Sequence, residues 1–169
     1  ELKVLLTQYG KMVAIHKYVR NNMEWNGYDN IWALEGVKSA WKDKKGTSGE
    51  INLVLVNLLK DAGLDANPVL VSTLEHGRVN QLIPSTQQFD KVMAYVKIQE
   101  KNQEKIYVMD ATDKNTPSHL IPQDVMYSNG LVIEKPDKYQ YQWGWKPLWK
   151  ETQGFKNIVI LTAEIDEQE

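Results

Sequence analysis

Residues 46–63 decide the fold of this chain, and they read GTSGEINLVLVNLLKDAG. Thr47 and Glu50 stand in the spacing of a capping box, with Thr47 as the N-cap and Glu50 three positions further on. The helix that the box opens, 51–62, is apolar almost all round, and Gly63 supplies a C′ residue after it. A helix with so little polar surface must be covered on several sides, so the stretch predicts a buried central helix.

The periodicity of apolar residues predicts helices before this element and strands after it. Residues 2–22 and a second stretch from about 34 to 45 repeat apolar side chains at helical spacing. Strands, with a period of two, are predicted at 68–73, 91–98, 104–110 and 155–165. Helices first and strands later, with hairpin-type connections, indicate an α+β fold with an antiparallel sheet.

The second and third of these strands read as a hairpin with a four-residue loop at 99–102. Counting outward from that loop places Lys97 opposite Glu104 and Lys91 opposite Asp110. Two opposite-charge pairs directly across the ladder favour this register. A change of one loop residue would destroy both pairs, so the prediction depends on the loop length.

The composition excludes several classes of function. The 169 residues are 42% hydrophobic and 25% charged, which is typical of one globular domain. Twenty Lys and Arg residues against 22 Asp and Glu give a net charge of −2, so a nucleic-acid partner is disfavoured. No apolar run approaches the roughly 20 residues of a transmembrane segment. The absence of Cys excludes a thiol nucleophile, a disulfide and a Cys-ligated zinc site.

The chain begins at Glu1 inside a predicted helix, and we interpret it as a piece of a longer polypeptide. We expect one domain over residues 1–150. Residues 151–169, with the last predicted strand, would be a linker to a following domain or its first strand. Neighbouring domains of the same polypeptide are therefore expected partners.

The motifs along residues 8–115 resemble those of the transglutaminase-like superfamily, which has a papain-like α+β fold. In that family a Gly-x-Cys-x-Asp/Glu segment opens the central helix and a Leu-Leu-x-x-x-Gly-Ile-x-Ala segment closes it. The corresponding segments here are GTSGE at 46–50 and LLKDAGLDA at 58–66. The family then has a strand that carries His and a strand that ends in Asp-x-Thr, matched by FDKV at 89–92 and YVMDAT at 107–112.

Two finer features resemble the branch of this superfamily that is found in bacterial envelope proteins. They are Trp25-Asn26-Gly27 and Val71-Ser72-Thr73 before a His-Gly turn. In that branch the domain sits between β-rich domains. The resemblance therefore implies a periplasmic or extracellular location in a bacterial cell envelope.

The departure from the family pattern falls on the residues that carry the chemistry. Ser48 stands where the family has its nucleophilic Cys, Lys91 stands where it has His, and Asp110 is retained. A Ser hydroxyl needs a neutral base, and Lys91 would need its pKa lowered by roughly three units from about 10.4. A neighbouring Asp110 would do the reverse. We interpret Ser48 as a helix-start residue whose hydroxyl meets a free N–H, and Lys91–Asp110 as a structural ion pair.

Other candidate ligand-binding residues are aromatic or basic. The full set of candidates is Trp25, Ser48, His76, Arg78, Lys91, Trp143 and Trp145. The Tyr/Trp alternation at 139–145 could stack on sugars or take a peptide edge-on, but such alternation more often marks one buried face. The polar loop 74–90 is long enough to be functional or mobile, and it could cover the cleft. His16 lies on an apolar helix face and is predicted to be a core residue. The scattered His residues have no metal-ligand spacing, so we expect no metal and no cofactor.

We therefore expect a catalytically inactive, pseudoenzyme domain that serves as a binding or architectural module of a larger bacterial envelope protein. The cleft between the central helix and the sheet should persist and could bind peptide or glycan. The helix N-terminus beside Lys91 could accept a carboxylate or an extended peptide. Two alternatives stay open: a hydrolase or acyltransferase that uses a Ser48–Lys91 dyad, and a structural spacer.

Overall fold

The computed structural model describes residues 7–83, 85–125, 128–136, 139–148 and 160. The helices in this part of the chain are α1 (Gln8–Asn22), α2 (Val37–Asp43) and α3 (Ser48–Asp61). The strands are β1 (Glu24–Trp25), β2 (Lys45–Gly46), β3 (Asp65–Val71), β4 (Lys91–Glu100), β5 (Gln103–Met109), β6 (Asn129–Glu134) and β7 (Gln142–Pro147). The predicted strand 155–165, apart from Ile160, and the predicted domain boundary at 150 lie outside the described residues.

Five strands form one antiparallel sheet in the order β5-β4-β3-β6-β7, while β1 and β2 make a short parallel pair. The helices precede the sheet along the chain, which confirms the α+β prediction. No helix in the described ranges has both the length and the apolar character needed to cross a membrane.

The capping box at the start of α3 is confirmed. The Thr47 hydroxyl accepts from Glu50 N at 3.3 Å, and Glu50 Oε2 accepts from Thr47 N at 3.0 Å. Because Thr47 is the N-cap, the helix includes the polar turn from Ser48 and begins three residues before the predicted start at 51. Gly63 follows the helix with a φ of +80°, as the C′ prediction requires.

The central strands are buried on both faces. On one face Ala66, Ala94 and Val96 pack with α1 and α3. On the other face the apolar side chains pack with the segment 121–125; these include Val69, Met93, Tyr95, Val108 and Val132. A strand covered on both sides carries apolar residues at consecutive positions, which explains the run Val92-Met93-Ala94-Tyr95-Val96.

The predicted hairpin exists, but the predicted register is wrong. The observed partners of Lys97 and Glu104 are Ile106 and Gln99, a shift of two residues from the prediction. Lys101 and Asn102 adopt φ of +48° and +63°, so the chain reverses through two residues rather than four. A shift of two preserves which side chains share a face.

The prediction that one face of the aromatic alternation is buried is also wrong for the described residues. Tyr139, Tyr141 and Trp143 are exposed, and Trp145 is half-buried. Helix α3 packs on β3 and β4, whereas the same face of β6 and β7 borders an open pocket.

Candidate functional site

Lys91 is the centre of the candidate site. It is the first residue of β4, and only 7% of its side chain is exposed. Its ammonium nitrogen lies 2.8 Å from Asp110 Oδ2, 3.1 Å from Asp124 Oδ2 and 3.8 Å from Asp29 Oδ1. Three carboxylates from three separate parts of the chain therefore surround one ammonium group.

The electrostatics of this cluster favour the charged form of both central partners. Burial alone would lower the pKa of Lys91, but the attraction of Asp110, Asp124 and Asp29 outweighs it and raises the pKa well above 10.5. Burial alone would raise the pKa of Asp110, but the charge and hydrogen bond of Lys91 hold that pKa below 3.8. Lys91 is thus an ammonium, and Asp110 a carboxylate, at neutral pH.

Asn52, on α3, completes the surroundings of Asp110. Its amide nitrogen donates to Asp110 Oδ1 at 2.9 Å and to the Val92 carbonyl at 2.8 Å, and its oxygen accepts from Ala111 N at 2.9 Å. The Thr112 backbone N–H and hydroxyl also donate to Asp110 Oδ1. The sequence analysis missed Asn52, although a lone amide in an otherwise apolar turn of helix was a usable signal.

Ser48 lies at the first position of α3 and is fully buried, with 0% of the residue exposed. Its hydroxyl accepts from Asn30 N at 3.1 Å, and its own N–H donates to the Tyr28 carbonyl at 3.1 Å. The hydroxyl does meet an N–H, as predicted, but that group comes from a loop rather than from α3.

The segment 28–30 covers the N-terminus of α3. A side-chain carbon at Gly49 would lie 2.5 Å from the Asn30 carbonyl oxygen, so only glycine permits this approach. The structure therefore argues against the prediction that this helix N-terminus could accept a carboxylate. Asp29 belongs to the covering segment: burial raises its pKa, while Lys91 and a hydrogen bond from Ser48 oppose that rise.

An open cleft of about 640 Å³ lies above Lys91. We call it the acidic cleft because its lining contains four carboxylates against two ammonium groups; the charged lining residues are Asp29, Glu75, Lys91, Asp113, Lys114 and Asp124. Trp25 lies at its edge and donates its indole N–H to the Tyr28 carbonyl. The cleft is suited to cationic rather than anionic groups.

The other predicted candidates lie elsewhere. Arg78 lines a separate hollow that meets the acidic cleft at Thr73 and Leu74. His76 is exposed and hydrogen-bonds to the Gln87 carbonyl at 3.0 Å within the 74–90 loop. The two remaining candidates, Trp143 and Trp145, line the open pocket beside β7.

His16 is a core residue, as predicted. Its Nε2 lies 2.8 Å from the Asp110 carbonyl oxygen, and its Nδ1 lies 2.9 Å from the Ser118 hydroxyl. Because the carbonyl can only accept, Nε2 carries the hydrogen. Within the described ranges, no group of His, Asp and Glu side chains is arranged to hold a metal ion.

The comparison with protein families agrees with this fold. The sequence profile of the transglutaminase-like superfamily matches residues 3–112. The chain belongs to the transglutaminase-like superfamily.

One solved structure similar to this chain is that of a putative protease from Parabacteroides distasonis, with 12% sequence identity and a TM-score of 0.48. The similarity covers 68% of this chain and 25% of the protease chain. No curated protein matches the chain at a significant level.

Proposed function

We propose that this transglutaminase-like domain is not a catalyst but a binding or architectural module, and that its acidic cleft takes an extended basic peptide. The observation that carries the proposal is the state of Lys91. It occupies the position where the superfamily pattern has its His, and three carboxylates hold it as an ammonium.

The chemistry of the site supports an inactive domain. A Ser nucleophile must give its proton to a neutral base. Lys91 has no free electron pair while it is protonated, and its hydrogen bonds go to Asp110 and Asp124. Ser48 is buried beneath the segment 28–30, so a substrate carbonyl would need that segment to open.

A labelling experiment tests the absence of catalysis. A fluorophosphonate probe and an amine-incorporation assay should both give no signal above the Ser48→Ala control from about pH 6 to about pH 10, the range below the ordinary pKa of Lys. Stoichiometric labelling that disappears in Ser48→Ala would instead support the hydrolase or acyltransferase alternative.

A second variant tests whether the catalytic frame is intact. Ser48→Cys combined with Lys91→His restores the residue types of the family pattern beside Asp110. We expect this double variant to react with iodoacetamide faster than Ser48→Cys combined with Lys91→Gln, because an imidazolium beside the thiol lowers the thiol pKa and a neutral amide does not. Equal rates would indicate that the frame has lost the family geometry.

The charge of the acidic cleft supports a basic peptide as its ligand. Calorimetric titration with an extended Lys-rich peptide should show binding that weakens with added salt, whereas the matched Glu-rich peptide should not bind. Glu75→Gln and Asp113→Asn are suitable variants, because both side chains are exposed at the cleft wall and their replacement should weaken binding without unfolding the domain. If the domain instead binds a neutral glycan more tightly than the Lys-rich peptide, the basic peptide is wrong and the ligand of the cleft is a glycan.

The architectural part of the proposal rests on the resemblance to envelope proteins. Fractionation of cells that express the tagged full-length protein should recover it with the periplasmic or extracellular fraction. A domain that binds neither peptide nor glycan, but is required for the protein's stable assembly, would be a structural spacer.

A further inference from the structure

A pocket of about 330 Å³ opens on the face of β6 and β7 that α3 leaves uncovered. We call it the apolar pocket. It is walled by aliphatic and aromatic side chains, of which the most prominent are Ile83, Phe89, Leu131, Ile133, Trp143 and Trp145. Trp143 is 65% exposed, which is an unusual state for so large an apolar side chain.

The sheet register builds this pocket. Leu131 pairs with Trp145 and Ile133 pairs with Trp143, so all four side chains point to one face of the sheet. The ring centroids of Phe89, from the 74–90 loop, and of Trp145 lie 5.8 Å apart, so these two lining residues pack against each other. The aromatic walls thus stand on one strand, β7, and on one loop residue that is itself buried.

The lining selects an apolar occupant over a sugar. None of the described residues that line the apolar pocket is charged, and its only polar side chains are Gln81, Ser85 and Thr86 at the loop side. A saccharide would place several hydroxyl groups against aliphatic side chains, and each unpaired buried hydroxyl costs about 1–3 kcal/mol. A Leu, Ile, Phe or Trp side chain meets no such cost.

The apolar pocket and the acidic cleft are linked through a third hollow that shares lining residues with both. A hollow of about 260 Å³ lies between them: it shares Thr86 and Phe89 with the apolar pocket and Asp29 with the acidic cleft. Asp90 also lines this hollow, so negative charge begins where the apolar wall ends. A ligand that lies along this path meets an apolar pocket first and carboxylates afterwards.

We propose that the apolar pocket is the anchor subsite for a basic peptide: it takes one large apolar side chain, and Lys or Arg residues of the same peptide lie along Asp29 towards the acidic cleft. The placement of Lys or Arg in the acidic cleft rests on the proposed function. The placement of an apolar side chain in the apolar pocket rests on that pocket alone. The complementarity in charge and apolar surface identifies the partner as a protein segment with this pattern.

Fluorescence anisotropy with capped peptides tests the proposal. The parent peptide carries one Phe and two Lys residues separated by Gly/Ser spacers of several lengths. Three matched peptides replace Phe by Ser, Lys by Glu, or both. We expect the loss of Phe to weaken binding by about tenfold or more, the effect of failing to bury one aromatic side chain. One spacer length should be clearly preferred, because the two subsites are fixed in space.

Variants of the protein assign the effect to each subsite. Trp143→Ser should abolish the advantage of Phe over Ser, whereas Asp113→Asn should weaken the parent and the Ser peptide equally. Tyr18→Ser is the matched control, since Tyr18 is an exposed aromatic residue on α1 and should change neither affinity.

Each outcome decides a different part of the proposal. Binding that needs Lys and Asp113 but ignores Phe and Trp143 overturns the anchor and leaves the proposed function standing. Binding that needs Phe and Trp143 but ignores Lys overturns the basic peptide, and with it the proposed ligand of the acidic cleft. If acrylamide does not quench the part of the fluorescence that Trp143→Phe removes, the anchor is overturned as well, because Trp143 would then be covered within the chain.

Discussion

Two buried carboxylates flank the start of α3, and they are stabilised in opposite ways. Glu50 is surrounded by neutral donors: its Oε2 accepts from Thr47 N, and its Oε1 accepts from the backbone N–H groups of Glu35 and Gly36 at 2.7 and 3.1 Å. Asp110 instead shares its Oδ2 with the ammonium of Lys91 at 2.8 Å. Both residues are almost wholly buried.

The difference shows which of the two regions depends on charge. Backbone N–H groups remain donors whatever residue is substituted nearby, and they cannot be titrated at ordinary pH. An ion pair in a buried position is balanced only while both members are present, because each charge alone pays the full cost of desolvation. The Asp110 region should therefore be far more sensitive to a single substitution than the Glu50 region.

The largest effect is expected from Lys91→Met. The substitution leaves Asp110 buried without its cation, so the free energy of unfolding at pH 7 should fall by about 3–5 kcal/mol, measured by urea denaturation. Lys97→Met is the matched control. The Lys97 ammonium also forms an ion pair, 2.7 Å from Glu134 Oε1, but its side chain is partly exposed. Its loss should cost less than about 1 kcal/mol. Equal losses in the two variants would contradict the comparison.

The pH dependence of Lys91→Met identifies the cause. In wild type the lowered pKa of Asp110 contributes stability that is complete above pH 3.8 and is lost at more acidic pH. In the variant, burial without a cation raises the pKa of Asp110. The loss in the free energy of unfolding relative to wild type should therefore be largest at neutral pH and should become smaller towards pH 3.8. Adding Asp110→Asn to Lys91→Met should recover part of the loss, because the unpaired charge is then gone.

Glu50→Gln should have a smaller effect. The substituted amide keeps one acceptor oxygen but turns an NH₂ group towards backbone donors, which leaves one or two of them unsatisfied. We expect a loss of about 2 kcal/mol by urea denaturation. Thr47→Val is an internal control, since it removes the hydroxyl of the same capping box and should cost about 1 kcal/mol. A loss as large as that of Lys91→Met would contradict the neutral-donor account.

The two carboxylates also differ in how far the sequence predicts them. The partners of Glu50 begin with Thr47 in the same turn, so a local motif was enough. The Lys91–Asp110 pair is confirmed although the register used to predict it was wrong, because a shift of two residues keeps side chains on the same face.

The other members of the cluster could not be predicted from the sequence. Asp29 and Asp124 reach Lys91 from loops, and loop paths depend on tertiary packing rather than on a local pattern. The two-residue hairpin turn was missed because Lys101 and Asn102 adopt positive φ without a glycine. The open face of β7 was missed because alternation shows which residues share a face, not whether another element covers it.

A substitution of His16 tests the hydrogen bond that this side chain makes to the Asp110 carbonyl oxygen. Burial and the positive charge of Arg20 lower the pKa of His16 below 6.5, against the opposing effects of Asp110. Neutral His16 therefore contributes stability that is complete above pH 6.5 and is lost as pH falls through its lowered pKa. His16→Gln should remove this dependence of the free energy of unfolding on pH below 6.5, measured by urea denaturation at several pH values. It should also lower the free energy of unfolding by about 1 kcal/mol at neutral pH, because the hydrogen bonds to Ser118 and Asp110 are altered. An unchanged slope would contradict the assignment.

The smallest effect on stability is expected from Trp143→Ser, at the opposite end of the sheet. Trp143 is exposed, so its removal should change the free energy of unfolding by less than about 0.5 kcal/mol. Trp145→Ser should cost more, since Trp145 is half-buried and packs against Phe89. A large loss for Trp143→Ser would mean that the ring packs against part of the chain itself. A negligible loss leaves a large aromatic side chain that stability does not require, which is the property expected of a binding residue.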